Sequence, residues 1–179
     1  YVMEITLTPD EMLERWRLYR AMEPLRADCV VERTDGLDID TILRIQMRAW
    51  YLDLLDFADP VRLAPVDVAP RSMLLPEADG SAVITLPPDC RRLLELKVEG
   101  WEIPATLTVP GTQLALEQMN PYTRGSCHAP VAVVNRFRCR IYPLPSPGAA
   151  IEWALAAVAP ADGSYSMDDS ALGLITPEL

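Results

Sequence analysis

Lysine and histidine are almost absent from this chain of 179 residues. Lys97 is the single lysine and His128 the single histidine, so arginine supplies all but one of the 16 basic side chains. Acidic residues number 26, and the formal net charge is −10. A protein that binds nucleic acid tightly and generally needs a basic face to neutralise phosphates, so this balance disfavours that class. It is compatible with a wall past which DNA slides, because negative charge repels phosphate.

The near-absence of lysine has two readings. Arginine is enriched and lysine depleted in protein–protein interfaces, because the planar guanidinium pairs well with carboxylates and loses water more easily. A GC-rich genome would produce the same bias through its codons. Both readings stay open.

Long apolar runs are also missing. No stretch of about 18 apolar residues occurs, so no membrane-spanning helix is expected. The start, Tyr1–Asp10, has neither the basic beginning nor the apolar centre of a signal peptide. The first residue is not methionine, so we expect the printed sequence to be trimmed.

Cysteines are few and widely spaced. The four are Cys29, Cys90, Cys127 and Cys139, and no two of them form a CxxC pair. They are too sparse for a small disulfide-held scaffold. Reduced thiols in a cytoplasmic setting are the simpler expectation.

Two helices are predicted near the start of the chain. Thr8-Pro9-Asp10-Glu11 has the pattern of a capping box with proline at the first helical position, and Pro24 is expected to end that helix. Asp38 or Asp40 caps the second helix, which Asp59-Pro60 closes. Two adjacent apolar rows predict a wide buried face on it. The rows are Ile42, Ile45, Ala49, Leu52 and Leu43, Met47, Trp50, Leu54.

From residue 60 onward, prolines are frequent and separate short apolar runs. The chain has 17 prolines, well above the usual ~5%, and many of them bound short apolar runs, as expected at strand ends and loops. Two turns are predicted: a tight turn at Glu77–Gly80, and a turn at Ser146–Gly148 that joins the last two strands as an antiparallel hairpin. A short helix is predicted over residues 113–119. The strand candidates are Arg71–Leu75, Ser81–Leu86, Arg92–Glu99, Ala105–Val109, Val131–Asn135, Phe137–Tyr142 and Ala150–Val158.

Helices first and short strands afterwards predict an α+β fold. We expect an N-terminal helix pair followed by a mainly antiparallel β-sheet or sandwich. The expected regions are a helical region over residues 1–60, a β-rich region over residues 61–160, and a tail over residues 161–179. The tail is expected to lead to a further C-terminal element.

No residue pattern predicts a catalytic or metal site. His128 adjoins Cys127, but zinc needs three or four ligands, and neighbours in an extended loop point apart. Residues 35–40 resemble the start of a calcium loop but lack its sixth-position glycine and its twelfth-position glutamate. Phosphate-loop, dinucleotide, zinc-protease and serine-hydrolase motifs do not occur. We therefore predict no catalytic residue, no metal and no cofactor, and a protein that is not an enzyme.

One arginine pattern indicates binding. Arg136, Arg138 and Arg140 alternate with Phe137, Cys139 and Ile141. In a strand, this places three guanidinium groups on one face and three apolar groups on the other. With Arg124 in the preceding loop, the face would contact an acidic neighbouring subunit or a phosphate backbone. The alternative is an exposed sheet face whose arginines pair with the chain's own carboxylates. If the arginines do bind a partner, the acidity of the chain favours an acidic protein over DNA.

Several short motifs resemble those of one structural family. A Leu-Pro-x-Asp step leads into a strand at Leu86-Pro87-Pro88-Asp89, and Gly100-Trp101 follows shortly after. Cys90 stands where a bulky apolar residue is more usual. Three further segments are similar: Asn120-Pro121, Pro130–Val134 and the exit Pro177–Leu179. Over roughly residues 8–160, the order of segments resembles the head–tail adaptor, or connector, proteins of tailed bacteriophages.

The resemblance implies a structural subunit of a ring, about twelve-fold, that joins portal to tail and lines the DNA passage. Its partners would be portal protein, tail proteins and further copies of itself, while DNA would pass without sequence-specific binding. The protein would lie in the virion after assembly in the bacterial cytoplasm, with no membrane, catalytic residue or cofactor involved. The alternative function is a non-enzymatic module that binds nucleic acid or an acidic protein through Arg136, Arg138 and Arg140.

Overall fold

The computed structural model describes residues 3–20 and 38–175. The chain divides into two compact units. The helical unit comprises Tyr1–Ala64 and Ala159–Leu179, and the sheet unit comprises Pro65–Val158. The predicted α+β class and the mainly antiparallel pairing are confirmed.

Three α-helices and ten strands occur within the described residues. The helices are α1 (Pro9–Tyr19), α2 (Ile39–Phe57) and α3 (Gln113–Glu117). The strands are β1 (Glu4–Leu7), β2 (Val66–Asp67), β3 (Met73–Pro76), β4 (Ala82–Thr85), β5 (Cys90–Val98), β6 (Thr106–Thr108), β7 (Val131–Asn135), β8 (Arg138–Tyr142), β9 (Ile151–Val158) and β10 (Tyr165–Asp168). No helix in this part of the chain combines the length and the apolarity needed to cross a membrane.

The predicted capping box starts α1. The backbone N–H of Glu11 donates to the Thr8 hydroxyl, and the Thr8 N–H donates to the Glu11 carboxylate at 2.8 Å, so two N–H groups without helical partners are satisfied reciprocally. The helix ends at Tyr19 with Arg20 as its C-cap. Pro24, which was predicted to end it, lies outside the described residues.

Asp38 caps α2, which ends two residues before the predicted Asp59-Pro60 boundary. The predicted wide buried face is wrong for one of its two rows. Leu43, Met47 and Leu54 are buried, whereas Ile45 is 66% exposed. The buried stripe continues through residues that the prediction did not include, Tyr51 and Leu55. The helix packs on one side only, so a single stripe of apolar side chains is buried and the opposite side faces solvent.

The segment after residue 161 was expected to be a separate tail, but part of it belongs to the helical unit. β10 pairs antiparallel with β1, with Ile5 opposite Met167. The hydroxyl of Tyr51 in α2 accepts from the N–H of Ser166 and donates to its carbonyl, both at 3.0 Å. Helices α1 and α2 and this two-stranded ribbon therefore belong to the same compact unit.

The sheet unit contains two sheets around one core. The five-stranded sheet has the order β3-β4-β8-β7-β6, and the three-stranded sheet has the order β2-β9-β5. All pairings are antiparallel except that of β6 with β7. Side chains from both sheets, including Ile84, Leu96, Ile141 and Ala154, are fully buried in this core.

The hairpin predicted across Ser146–Gly148 is wrong. β8 and β9 lie in different sheets, so this turn belongs to a connection between sheets. β8 already has a partner on each edge, β4 and β7, which leaves no edge for β9. The short hairpin in this region instead joins β7 to β8 through Arg136 and Phe137.

Candidate interaction surfaces

The outer side of the five-stranded sheet presents a regular array that we call the sheet face: Met73, Leu75, Val83, Thr85, Arg138 and Arg140. Residues opposite one another in paired strands lie on the same side of a sheet. Thr85 pairs with both Met73 and Arg138, and Val83 pairs with both Leu75 and Arg140. Met73 and Leu75 are 60% and 52% exposed. The sheet face thus places arginines beside exposed apolar side chains.

The predicted alternation along β8 is confirmed from Arg138 to Ile141. Arg138 and Arg140 are exposed, whereas Cys139 and Ile141 are fully buried. Arg136 does not belong to this row, which corrects the prediction of three arginines in one strand. It lies in the hairpin turn with a φ of 53°, in the left-handed region, because the tight turn between β7 and β8 needs such a residue.

Phe137 also departs from the prediction. It was expected on the apolar face with Cys139 and Ile141, but it lies in the same turn and is exposed. Its backbone carbonyl accepts from the N–H of Leu86 at 2.8 Å. The turn that contains this exposed side chain is therefore hydrogen-bonded to the residue that follows β4.

Two of the four candidate arginines bind carboxylates of the same chain. Arg140 donates through one nitrogen to both carboxylate oxygens of Glu77, at 2.8 and 2.6 Å, and this raises the pKa of Arg140. Arg124 donates to the carboxylate of Asp79 at 2.8 Å and to the Asp79 carbonyl at 2.7 Å. Both arginines thus hold the turn between β3 and β4, as the alternative reading of the sequence expected.

Arg136 and Arg138 differ from that pair. Within residues 3–20 and 38–175, neither has a hydrogen bond or an ion pair to another side chain. Both are exposed. Because they are exposed and make no ion pair there, these two guanidinium groups are available for a partner outside the chain.

A second surface lies on the connection between β6 and β7, and we call it the loop knob: Leu116, Met119 and Tyr122. Met119 and Tyr122 are 73% and 96% exposed. The sequence predicted the short helix here but gave no signal of this exposure. Apolar and aromatic side chains exposed on an ordered loop are typical of contact sites.

The loop knob rests on a buried polar anchor. Gln118 is 1% exposed, and its side-chain oxygen accepts from the N–H of Gly125 at 2.8 Å. The carbonyl of Gln118 accepts from Arg124 at 2.8 Å. Gly125 fits closely, since a Cβ there would lie 2.8 Å from the carbonyl oxygen of Ala129. The position of the knob is therefore determined by buried contacts.

A third surface follows the outside of α2, and we call it the α2 stripe: Ile45, Ala49, Asp53 and Phe57. Residues four apart in a helix lie above one another on one face. All four are exposed, Phe57 to 81%. The last turn of α2 contains no basic side chain. The stripe is apolar except for the carboxylate of Asp53.

The thiols and the histidine do not converge. His128 Nδ1 lies 2.7 Å from the carboxylate of Glu102, and both side chains are largely exposed. Burial raises the pKa of the Cys90 thiol to about 11 and that of Cys139 to about 12. Cys127 is half-buried, and Cys29 lies outside the described residues. In the part of the chain that the structure describes, no three His, Cys, Asp or Glu side chains are placed to hold a metal ion.

The formal charge is divided unequally between the units. Pro65–Val158 contains 8 of the 16 basic residues and 9 of the 26 acidic ones, a net charge of −1. The helical unit has the other 8 basic and 17 acidic residues, a net charge of −9.

No protein-family model, curated protein or solved structure matches this chain. Its function is therefore inferred from its own residues and motifs.

Proposed function

We propose that the chain is a structural subunit of a phage head–tail connector ring that joins portal to tail and lines the DNA passage. The first support is the set of motifs that resembles the adaptor proteins. Leu86-Pro87-Pro88-Asp89 connects β4 to β5, and Leu86 is buried. Gly100-Trp101 follows β5, and the buried Trp101 indole donates to the carbonyl of Pro143 at 2.9 Å. These motifs therefore occupy positions where they determine how the sheet unit folds.

The observation that carries the proposal is apolar exposure on both units. The loop knob and the sheet face lie on the sheet unit, and the α2 stripe lies on the helical unit. Large apolar side chains that are exposed together on one surface are typical of interaction sites. A ring subunit docked between portal and tail needs several such surfaces, because it contacts two neighbours and two further proteins.

Charge supports the passage of DNA. The net charge of −10 lies mostly on the helical unit, which repels phosphate rather than binding it. A channel that binds DNA tightly would slow its movement. The proposal therefore assigns the helical unit to the wall of the passage.

The alternative, a nucleic-acid-binding module using Arg136, Arg138 and Arg140, has weaker support. Arg140 is engaged with Glu77, so the predicted stripe has two unengaged guanidinium groups instead of three. Each phosphate contact contributes separately to affinity, and two contacts provide little of it. An acidic protein surface remains a suitable partner and is consistent with a ring.

The test is reconstitution with a portal ring. The full chain is mixed with the portal protein encoded in the same genome and imaged by electron microscopy. The expected result is a ring of about twelve copies seated on the portal. An unrelated protein of similar size and net charge is the control for non-specific attachment. A chain that stays monomeric and leaves the portal bare would overturn the proposal.

A further inference from the structure

We propose that neighbouring copies join by placing the α2 stripe of one copy against the sheet face of the next. The inference rests on the proposed function, because it names the contact that would link subunits in the ring. The two surfaces differ, so the contact is heterologous and generates a ring or an open filament. The occupant of the sheet face is thus a second copy of this chain.

The sheet face has the composition of a protein-binding surface. Interfaces are enriched in arginine, methionine and aromatic residues and depleted in lysine and glutamate. Met73 and Leu75 lie in the edge strand, Arg138 lies two strands away, and the exposed Phe137 lies in the turn next to Arg138. The array covers three strands, about 10 Å across, and two residue steps, about 7 Å along each strand.

The α2 stripe complements this surface in chemistry. From Ile45 to Phe57 it extends about 18 Å along the helix, so it is long enough to cover the whole sheet face. Its apolar side chains match Met73 and Leu75, and Asp53 provides a carboxylate for Arg138. Asp53 is exposed and has no hydrogen bond or ion pair within the described residues.

Both partners of this pair are available. A guanidinium group from a neighbouring copy would neutralise the Asp53 carboxylate, and Arg138 makes no ion pair with a carboxylate among the described residues.

Charge also favours this arrangement over a symmetric one. A two-fold contact of sheet face on sheet face would bring two sets of arginines together without a carboxylate among the sheet-face residues, and one of stripe on stripe would bring two Asp53 carboxylates together without a basic residue. A contact between the nearly neutral sheet unit of one copy and the strongly acidic helical unit of the next copy avoids both repulsions. The heterologous contact is therefore the favoured way to cover both surfaces.

Charge reversal tests the contact in the full chain. Arg138→Glu and Asp53→Arg are each expected to weaken self-association about tenfold or more, measured by sedimentation velocity or by counting copies on the portal ring. The double variant restores the opposite charges across the contact and should recover association. Both positions are exposed, so the fold should persist, which circular dichroism checks. Arg15→Glu and Glu14→Arg on α1 are exposed controls outside both surfaces.

The outcomes separate this contact from the proposed function. Self-association that neither reversal changes would overturn the contact and leave the connector proposal standing. A chain that is monomeric with and without the portal ring would overturn both. Binding to duplex DNA that Arg138→Glu abolishes, with self-association intact, would assign the sheet face to nucleic acid and also overturn the contact.

Discussion

Arg140 in β8 and Glu77 in the turn after β3 are 63 residues apart in the chain, yet one guanidinium nitrogen donates to both carboxylate oxygens. The contact connects a strand inside the sheet to the turn that joins its two outermost strands at one edge. Arg138, two residues before Arg140 and on the same face, has no such partner within the described residues. One strand thus presents one engaged and one available arginine.

Replacing Glu77 by Gln should lower the free energy of unfolding by about 0.5 kcal/mol, because both partners are more than one-third exposed and water screens the ion pair. Urea denaturation of Glu77→Gln, Arg140→Met and the double variant measures the coupling. Arg138→Met is the matched control and should stay within about 0.5 kcal/mol of the unchanged chain. A coupling of zero would show that the pair contributes nothing to stability.

Gly125→Ala should destabilise the sheet unit by about 2 kcal/mol, because the added Cβ meets the carbonyl oxygens of Ala129 and Tyr142 at 2.8 and 2.9 Å. Thermal or urea unfolding measures the loss. Gly148→Ala is the control: its Cβ would meet nothing within 4 Å, so its effect should stay under about 0.5 kcal/mol. Equal effects of the two substitutions would contradict the close packing at Gly125.

The hydrogen bonds from Ser81 and the nearby Arg124 lower the pKa of Asp79 in the folded chain. A carboxyl group with a lowered folded pKa stabilises the fold above its unfolded pKa, about 3.9. That contribution is lost as the pH falls below this value toward the folded pKa. Stability measured by urea unfolding between pH 6 and pH 3 should therefore fall less steeply at the acid end in Asp79→Asn. An unchanged acid slope in that variant would rule out the contribution.

The buried thiols should resist alkylation in the folded chain. Burial raises the pKa of Cys90 to about 11 and that of Cys139 to about 12, so little thiolate forms at neutral pH. Iodoacetamide labelling at pH 7.5, followed by mass spectrometry, should leave both unmodified while the half-buried Cys127 reacts. In urea all three should react alike. Rapid native labelling of Cys139 would contradict its burial.

Some of the fold could be predicted because short-range chemistry decides it. The Thr8–Glu11 capping box, the Asp38 cap and the turn at Glu77–Gly80 each depend on residues within four positions of one another. Each motif satisfies its own backbone groups, so tertiary structure changes little about it. The alternation of Arg138, Cys139, Arg140 and Ile141 is equally local, because the period of a strand decides which side each residue faces.

The candidate site could be predicted only in part. Sequence reasoning identified Arg124, Arg136, Arg138 and Arg140, but not which of them bind the chain's own carboxylates. Nothing in the local pattern distinguishes Arg140 from Arg138, since the difference is whether a turn from another strand brings a carboxylate near. The loop knob was missed for the same reason, because exposure is a property of the packed chain.

Residues close together in the chain are enough to specify the helix starts, the tight turns, the α+β class and the alternation in β8. Packing across the whole chain is needed to place β8 and β9 in different sheets, to pair the segment after residue 161 with β1, and to turn Ile45 outward. These outcomes depend on which edges and faces meet across long stretches of chain. That choice follows from the burial of the whole apolar surface, which no short segment specifies.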